Sequence, residues 1–185
     1  MRHRAAVIKG EKDFGRFLNM GYRAFYEATG ENGFPNMTSA PLTSLPDRIV
    51  AWIRSEGGSN ALLLITVDGF LRPHVMMLAR DEVVVTSATA LRVAVGERSQ
   101  SAENLRLRSS ATLAIYDADL ACVIKTHTTQ GPRGIAEGTV AYDLAVEDVR
   151  FDVPTAAEAS ARLVTGLRFE GRAERTDIRE RLKNA

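Results

Sequence analysis

Two groups of side chains in this 185-residue chain have types and spacings that chemistry could use. The first is Arg98, Ser99, Gln100 and Ser101, followed by Asn104, where a polar loop enters a short helix. The first N–H groups of a helix have no intrahelical partners, and the helix dipole is positive there. An Arg and two hydroxyls add further donors, so the cluster suits an anion, and a phosphate above all. The same residues would equally serve a plain surface helix capped by Ser99 or Ser101. The second group is Arg72, Pro73, His74 and Val75 at the entry to a strand. Proline costs no ladder hydrogen bond at a strand's first residue. Arg72 and His74 share a face there, beside Thr86 and Ser87 at the end of the next strand, and could line a groove for a polar ring system. An ordinary solvent-exposed strand end is the alternative.

Other chemistries find little support. His3, His74 and His127 are scattered, without a second ligand at metal spacing. No GxSxG, Walker A or GxGxxG pattern occurs. Cys122, the single cysteine, lies inside an apolar run and reads as a small buried side chain rather than a nucleophile. A net charge of +1, with no aromatic ladder among basic residues, gives no case for nucleic acid or an anionic membrane. No apolar run is long enough to span a bilayer, and MRHRAAVIKG lacks the apolar stretch of a signal peptide. With one cysteine and so no internal disulfide, a cytoplasmic protein is expected.

The elements that must position these groups are mostly strands. Ala61 to Ser87 reads ALLLITV, DGFLRP, HVMMLA, RDE, VVVTS, and predicts an antiparallel meander whose first turn is built on Asp68-Gly69. Ala88 to Glu97 has an ambiguous period. Ala111 to Asp117, Leu120 to Thr128 and Ile135 to Asp143 predict three more strands, with Gly138 marking a bulge or a close backbone approach. In LACVIKTHT, Ala121, Val123 and Lys125 share one face and Cys122, Ile124 and Thr126 the other. Helices are expected at Asp13–Ala28, at Ser44–Glu56 with Ser44 as its cap, and at Thr155–Leu167. Arg175–Ala185 reads as a solvated helix prone to fraying. Trp52 belongs to an apolar helix face with Leu45, Ile49 and Ile53, and reads as core. The fold class is therefore mainly β (α+β), with a helical extension over 1–43, a strand domain over 44–150 and C-terminal helices over 151–185. Met37 offers a second start, which would leave residues 1–36 as an upstream extension.

Taken in order, these pieces resemble the pyridoxamine 5'-phosphate oxidase-like, FMN-binding split β-barrel superfamily. The likeness runs over Leu45 to Tyr142, through LPDRIVAWI, ALLLITVDGFLRPHV, VVVTS, SAENLR, TLAIYD, LACVIK and GTVAY. It implies a six-stranded antiparallel split β-barrel with flanking helices, working as a homodimer with two FMN molecules in grooves between subunits. Arg72, Pro73, His74 and Val75 would lie along the isoalloxazine. Thr86 and Ser87 would lie near the ribityl chain and ring, and Arg98, Ser99, Gln100, Ser101 and Asn104 near the phosphate. Lys125 would reach FMN from the partner subunit. Where relatives often carry Lys after the loop Ser, this chain has Gln100 and Ser101, and RTDIRERLKNA lacks the oxidase's Arg-and-His substrate segment. The resemblance thus implies the cofactor site rather than that oxidase's own activity. The expectation is a flavin-dependent oxidoreductase acting on a small molecule. A non-catalytic flavin-binding module, or one that uses a deazaflavin in place of FMN, is the other reading.

Overall fold

The computed structural model describes residues 42–55, 59–118, 120–152, 163–171 and 175–185. Two compact units divide the chain, Met1–Ser39 and Ala40–Ala185, and every described residue belongs to the second. The expected helix at Asp13–Ala28, and residues 155–162 of the expected C-terminal helix, lie outside the described residues.

The described elements are helix α1 (Asp47–Arg54), strands β1 (Ala61–Val67) and β2 (Pro73–Ala79), a 3₁₀ turn (Arg80–Glu82), and strands β3 (Val83–Ser87) and β4 (Ala90–Gly96). Helix α2 (Gln100–Leu107) follows, then β5 (Ser110–Asp117), β6 (Leu120–Thr128), β7 (Arg133–Ala136), β8 (Thr139–Phe151) and helix α3 (Thr176–Asn184). Every strand pair is antiparallel, in the order β2-β1-β5-β6-β8-β4-β3, with β7 paired to β8.

The hairpin of β1 and β2 forms as expected, with Val67 opposite Pro73 and Ala61 opposite Ala79. The meander does not continue. β3 pairs with β4, and the 3₁₀ turn, with Arg80 and Asp81 buried, carries the chain to the other edge of the sheet. Among the described residues there are eight strands rather than six. The ambiguous Ala88–Glu97 stretch contains β4, which pairs with both β3 and β8. Gly138, at φ +65, sits in the turn joining β7 to β8 instead of making a bulge. β8 runs on to Phe151 across a register shift opposite Lys125 and Thr126, where its alternation changes phase.

Residues of one phase from strands at both edges of the path meet in a single core, including Leu78 (β2), Leu64 (β1), Leu113 (β5), Ile124 (β6), Leu144 (β8), Val93 (β4) and Val83 (β3). An open sheet can gather such residues only by curling over its own inner face, so the architecture is an antiparallel half-barrel. Ile49 and Ile53 of α1, and Ala102 and Leu105 of α2, fill the same core. Cys122 is fully buried there, and burial pushes its thiol up to about 11, which fits an inert structural side chain.

α1 starts at Asp47 rather than Ser44, with Pro46 at the cap position. Proline favours an extended residue before it, and so keeps Leu45 out of the helix. Trp52 packs against the core, and its indole Nε1–H donates to Asp117 Oδ2 at 2.7 Å. Residues 163–167 are not helical. They belong to a strap over the ends of β1 and β5, where sheet backbone groups outcompete a helix: Ala61 N–H donates to the Leu167 carbonyl, Leu167 N–H to that of Tyr116, and Phe169 N–H to that of Ser59. The C-terminal helix is not a frayed, solvated one. Ile178 and Leu182 of α3 are fully buried on the outer face of β3, β4 and β8, against Val84, Ala94 and Ala141. Arg179 donates to the carbonyls of Ile53 and Ser55 at the end of α1.

Asp143 on β8 ties this region together. Arg92 Nε donates to one of its oxygens and Arg133 Nη2 to the other, both at 2.6 Å, while Arg92 Nη1 donates to the Leu182 carbonyl at 2.7 Å. Burial alone would raise the Asp143 pKa, but the two guanidinium bonds outweigh it and hold the carboxyl below its ordinary 3.8. A depressed pKa stabilises the fold above the unfolded value and loses that effect as pH falls through the folded one. Asp143→Asn is therefore expected to be less stable than wild type near neutrality and to show a flatter loss of stability on acidification below 3.8. Urea titrations at several pH values would check this, and parallel acid limbs would refute it.

Candidate functional site

The start of α2 is built as a donor-rich cap. Ser99 is the N-cap, and its Oγ accepts the Ala102 N–H at 3.2 Å. The Gln100 and Ser101 N–H groups point out of the first turn, where a helix offers them no partner. Ser101 is fully buried, and its Oγ has no hydrogen-bond partner among the described residues. Arg98, just before the cap, is exposed. Gln100 is exposed and lies along the helix, its Nε2 donating to Asn104 Oδ1 at 2.9 Å and to Glu103 Oε2 at 3.2 Å.

Asn104 fastens this helix to the hairpin. Its Nδ2 donates to Thr66 Oγ1 at 2.9 Å, both residues are fully buried, and Thr66 lies directly opposite His74. The start of β2 and the helix that follows β4 are thereby brought together. Thr66 escaped the reading of functional positions, although it is the one polar residue in the inward phase Leu62, Leu64, Thr66, and that break in an apolar phase was its signal.

The turn before Arg72 does not work through glycine. The residue in the left-handed region is Leu71, at φ 65, while Asp68 organises the loop. Asp68 Oδ1 accepts the Phe70 and Arg72 N–H groups at 2.8 and 2.9 Å, and Oδ2 accepts Arg72 Nε at 2.9 Å. The Arg72 N–H is the main cause holding the Asp68 pKa below its usual value. Arg108, just past α2, donates to the Asp68 and Gly69 carbonyls at 3.1 and 3.3 Å. Arg72 itself stays exposed, with its guanidinium 5.1 Å from the Phe70 ring.

The remaining expected residues separate by face and by end. Pro73 and Val75 lie on the outer face of the sheet, where the cross-strand row runs Val75, Ile65, Thr112, Lys125, Asp148. Lys125 is thus on the same face as Val75, three strands and about 14 Å away. Its Nζ is 3.7 Å from Asp148 Oδ2, and Asp148 Oδ1 is buried without a partner among the described residues. Thr86 and Ser87 sit at the β3–β4 turn, where Ser87 Oγ accepts the Thr89 N–H at 3.1 Å. The strand end next to α2 is Gly96, and β4 separates it from Ser87 by about 20 Å. β3 is not hydrogen-bonded to β2, so Thr86 and Ser87 do not stand on the strand paired with that of Arg72 and His74.

What one chain assembles is therefore Arg72 to Val75 at the hairpin and Arg98 to Asn104 at the helix start, joined through Thr66. Free first-turn N–H groups, the Ser99 and Ser101 hydroxyls and Arg98 form a donor set that fits a phosphate monoester. Among the described residues no group of three or more His, Cys, Asp or Glu could hold a metal, and no helix is long and apolar enough to cross a membrane.

No family model and no curated protein matches this chain. Among solved structures, it is similar to a candidate pyridoxamine 5'-phosphate oxidase from Lactobacillus delbrueckii, at 16% identity over 59% of this chain and 95% of that one, with a TM-score of 0.49. Flavoredoxin of Desulfovibrio vulgaris (Miyazaki F) is 10% identical over 65% of this chain and 77% of its own, with a TM-score of 0.44. The styrene monooxygenase flavin reductase from Pseudomonas putida is 6% identical over 51% and 82%, with a TM-score of 0.44.

Proposed function

We propose that this protein binds a flavin, FMN, at the junction of the β1–β2 hairpin and the start of α2, and serves as a flavin-dependent oxidoreductase on a small molecule. The observation that carries the reading is the fully buried Ser101 hydroxyl, without a partner among the described residues, in the first turn of a helix whose entry holds Arg98 and whose Asn104 is bonded to the hairpin through Thr66. Arg98, Ser99, Ser101 and the first-turn amides hold the phosphate, and Asn104 and Gln100 keep the turn rigid. Arg72 to Val75 border the ring. The flavin supplies the redox chemistry when bound, and the chain supplies its placement and electrostatics. His74 is the side chain in this region suited to carry a proton for a substrate.

A homodimer belongs to this proposal. Val75 and Met77 stand on the edge strand at 54% and 41% exposure, beside Ile65 and Leu63 of β1, and the described residues do not cover this apolar face. A second copy covers it and brings its own Lys125 toward the cofactor.

Purified protein is expected to be yellow, to bleach with dithionite, to release FMN on heating as identified by mass, and to sediment as two chains. Arg98→Ala is expected to weaken FMN binding about tenfold, as for loss of one partly exposed charge-assisted contact. Colourless protein that fails to titrate with FMN would refute the reading, and a released deazaflavin would replace the cofactor while leaving the site in place.

A further inference from the structure

A separate cleft of about 410 Å³ opens at the other end of α2, between its last turn, the β6–β7 loop and Tyr142. Its volume falls within the range of small-molecule sites, about 300–1,000 Å³. It shares no residue with the proposed flavin cradle, whose phosphate donors Arg98, Ser99 and Ser101 precede Arg106 by five residues or more, about 7 Å or more along the helix axis.

The chemistry of its wall is specific. Arg106 is the only charged residue lining it, and no lining residue is acidic. Arg106 is exposed and makes no ion pair among the described residues. The Tyr142 hydroxyl, in the same wall, donates to the Ala102 carbonyl at 3.0 Å. Arg133, the neighbouring cation, is already engaged by Asp143 and by Gln130 Oε1, so it does not compete for a ligand. Binding of Gln130 Oε1 by Arg133 also fixes that side chain, leaving its amide N–H groups as donors. Leu107 and Pro132 add an apolar flank. Backbone bonds from Thr128 N–H to the Ser109 carbonyl at 2.6 Å and from Thr129 N–H to that of Asp143 at 3.0 Å hold the rim, so the cleft exists before a ligand arrives.

We infer that this cleft binds a small carboxylate with an apolar body, its carboxylate on Arg106 and its ring or chain against Leu107 and Pro132. A planar guanidinium with no carboxylate of its own, beside hydroxyl and amide donors, matches a ligand carboxylate through paired N–H donors. The carbonyls that end α2 oppose an anion from the helix side. The ligand carboxylate therefore sits on the loop side of Arg106.

Calorimetric titration of the full chain with benzoate tests this, with benzamide as the uncharged isostere. Benzoate is expected to bind saturably in the millimolar range, with benzamide at least about tenfold weaker. Arg106→Gln should weaken benzoate at least about tenfold, while Arg98→Ala leaves it unchanged. Gly131→Phe provides a second variant at the cleft rim. A Cβ there meets nothing within 4 Å, so the fold tolerates it, and the added ring is expected to fill the cleft and abolish benzoate binding at an unchanged melting temperature. Absence of saturable benzoate binding up to about 20 mM, equal affinity for benzamide, or unaltered binding by Gly131→Phe would each overturn the inference.

Discussion

Asp117→Ala is expected to lower the unfolding free energy by about 3 kcal/mol or more, a fall of about 6–12 °C in melting temperature. The carboxylate of Asp117 joins four parts of the chain. Oδ2 accepts Trp52 Nε1–H and Asn60 Nδ2–H, each at 2.7 Å, and Oδ1 accepts the Ala118 N–H at 2.8 Å and meets Arg168 Nη2 at 3.5 Å. Asp117 and Asn60 are both buried, so truncation leaves an amide and an indole N–H without acceptors away from water. Unmet buried donors cost more than the bonds themselves contributed, about 1–3 kcal/mol each. Arg168 is half-exposed, and Arg168→Ala should cost well under half as much. Because Trp52 is the chain's only tryptophan, its emission reports the change directly. Urea unfolding followed by that emission should show an earlier midpoint and an altered native spectrum, whereas an unmoved midpoint would remove Asp117 from its role as the tie.

Gly166→Ala should be nearly as damaging, for a steric reason. A Cβ placed there would stand 2.4 Å from the Tyr116 carbonyl oxygen and 2.8 Å from the Asp117 Cα, both backbone atoms that no rotamer change can clear. Either the strap lifts from β5 or the end of β5 shifts, at about 1–3 kcal/mol, the usual range for overpacking. The matched control is Gly131→Ala, which meets nothing within 4 Å and should change stability by less than about 0.5 kcal/mol. Amide exchange discriminates a lifted strap from general loosening. Leu167 and Phe169, whose N–H groups bond across to Tyr116 and Ser59, should exchange faster in Gly166→Ala while the β5–β6 ladder stays protected. Equal exchange at those two amides in both proteins would show that the contact yields without cost.

The parts of this fold that were readable from sequence are those where local chemistry and tertiary pairing agree. Ala61–Val67 and Pro73–Ala79 are short apolar runs joined by a polar turn, so their pairing was legible. So was the face of β6, where Cys122, Ile124 and Thr126 are buried as the alternation requires. Failures arose where a distant partner decided the outcome. The left-handed residue is Leu71 because the Asp68 carboxylate and Arg108 fix the turn around it, and Arg108 is 40 residues from Asp68. Ile178 and Leu182 looked too few to bury a charged helix, yet Val84, Ala94 and Ala141 offer a small apolar patch on the outer sheet face that two side chains suffice to cover. At the candidate site, Ser99 as cap was legible, whereas the Asn104–Thr66 bond depends on how α2 crosses β1. Consecutive strands tend to neighbour each other, but the buried 3₁₀ turn overrides that tendency here and leaves the strand of Thr86 and Ser87 unpaired with β2.

The clasp between α3 and α1 also bears on biosynthesis. Arg179 meets the carbonyls of Ile53 and Ser55, and the Arg175 N–H meets Asp81 Oδ2 at 2.5 Å, so contacts at the start of the half-barrel wait for residues that follow every strand. At about 5–20 residues per second, the 121 residues from Arg54 to Arg175 take roughly 6–25 s to translate. From Ala141 to Leu182, 41 residues further on and about 2–8 s later at that rate, the nascent chain carries Val84, Ala94 and Ala141 without the helix that later covers them. A ribosome that pauses inside this window would hold an apolar patch open to whatever meets it first.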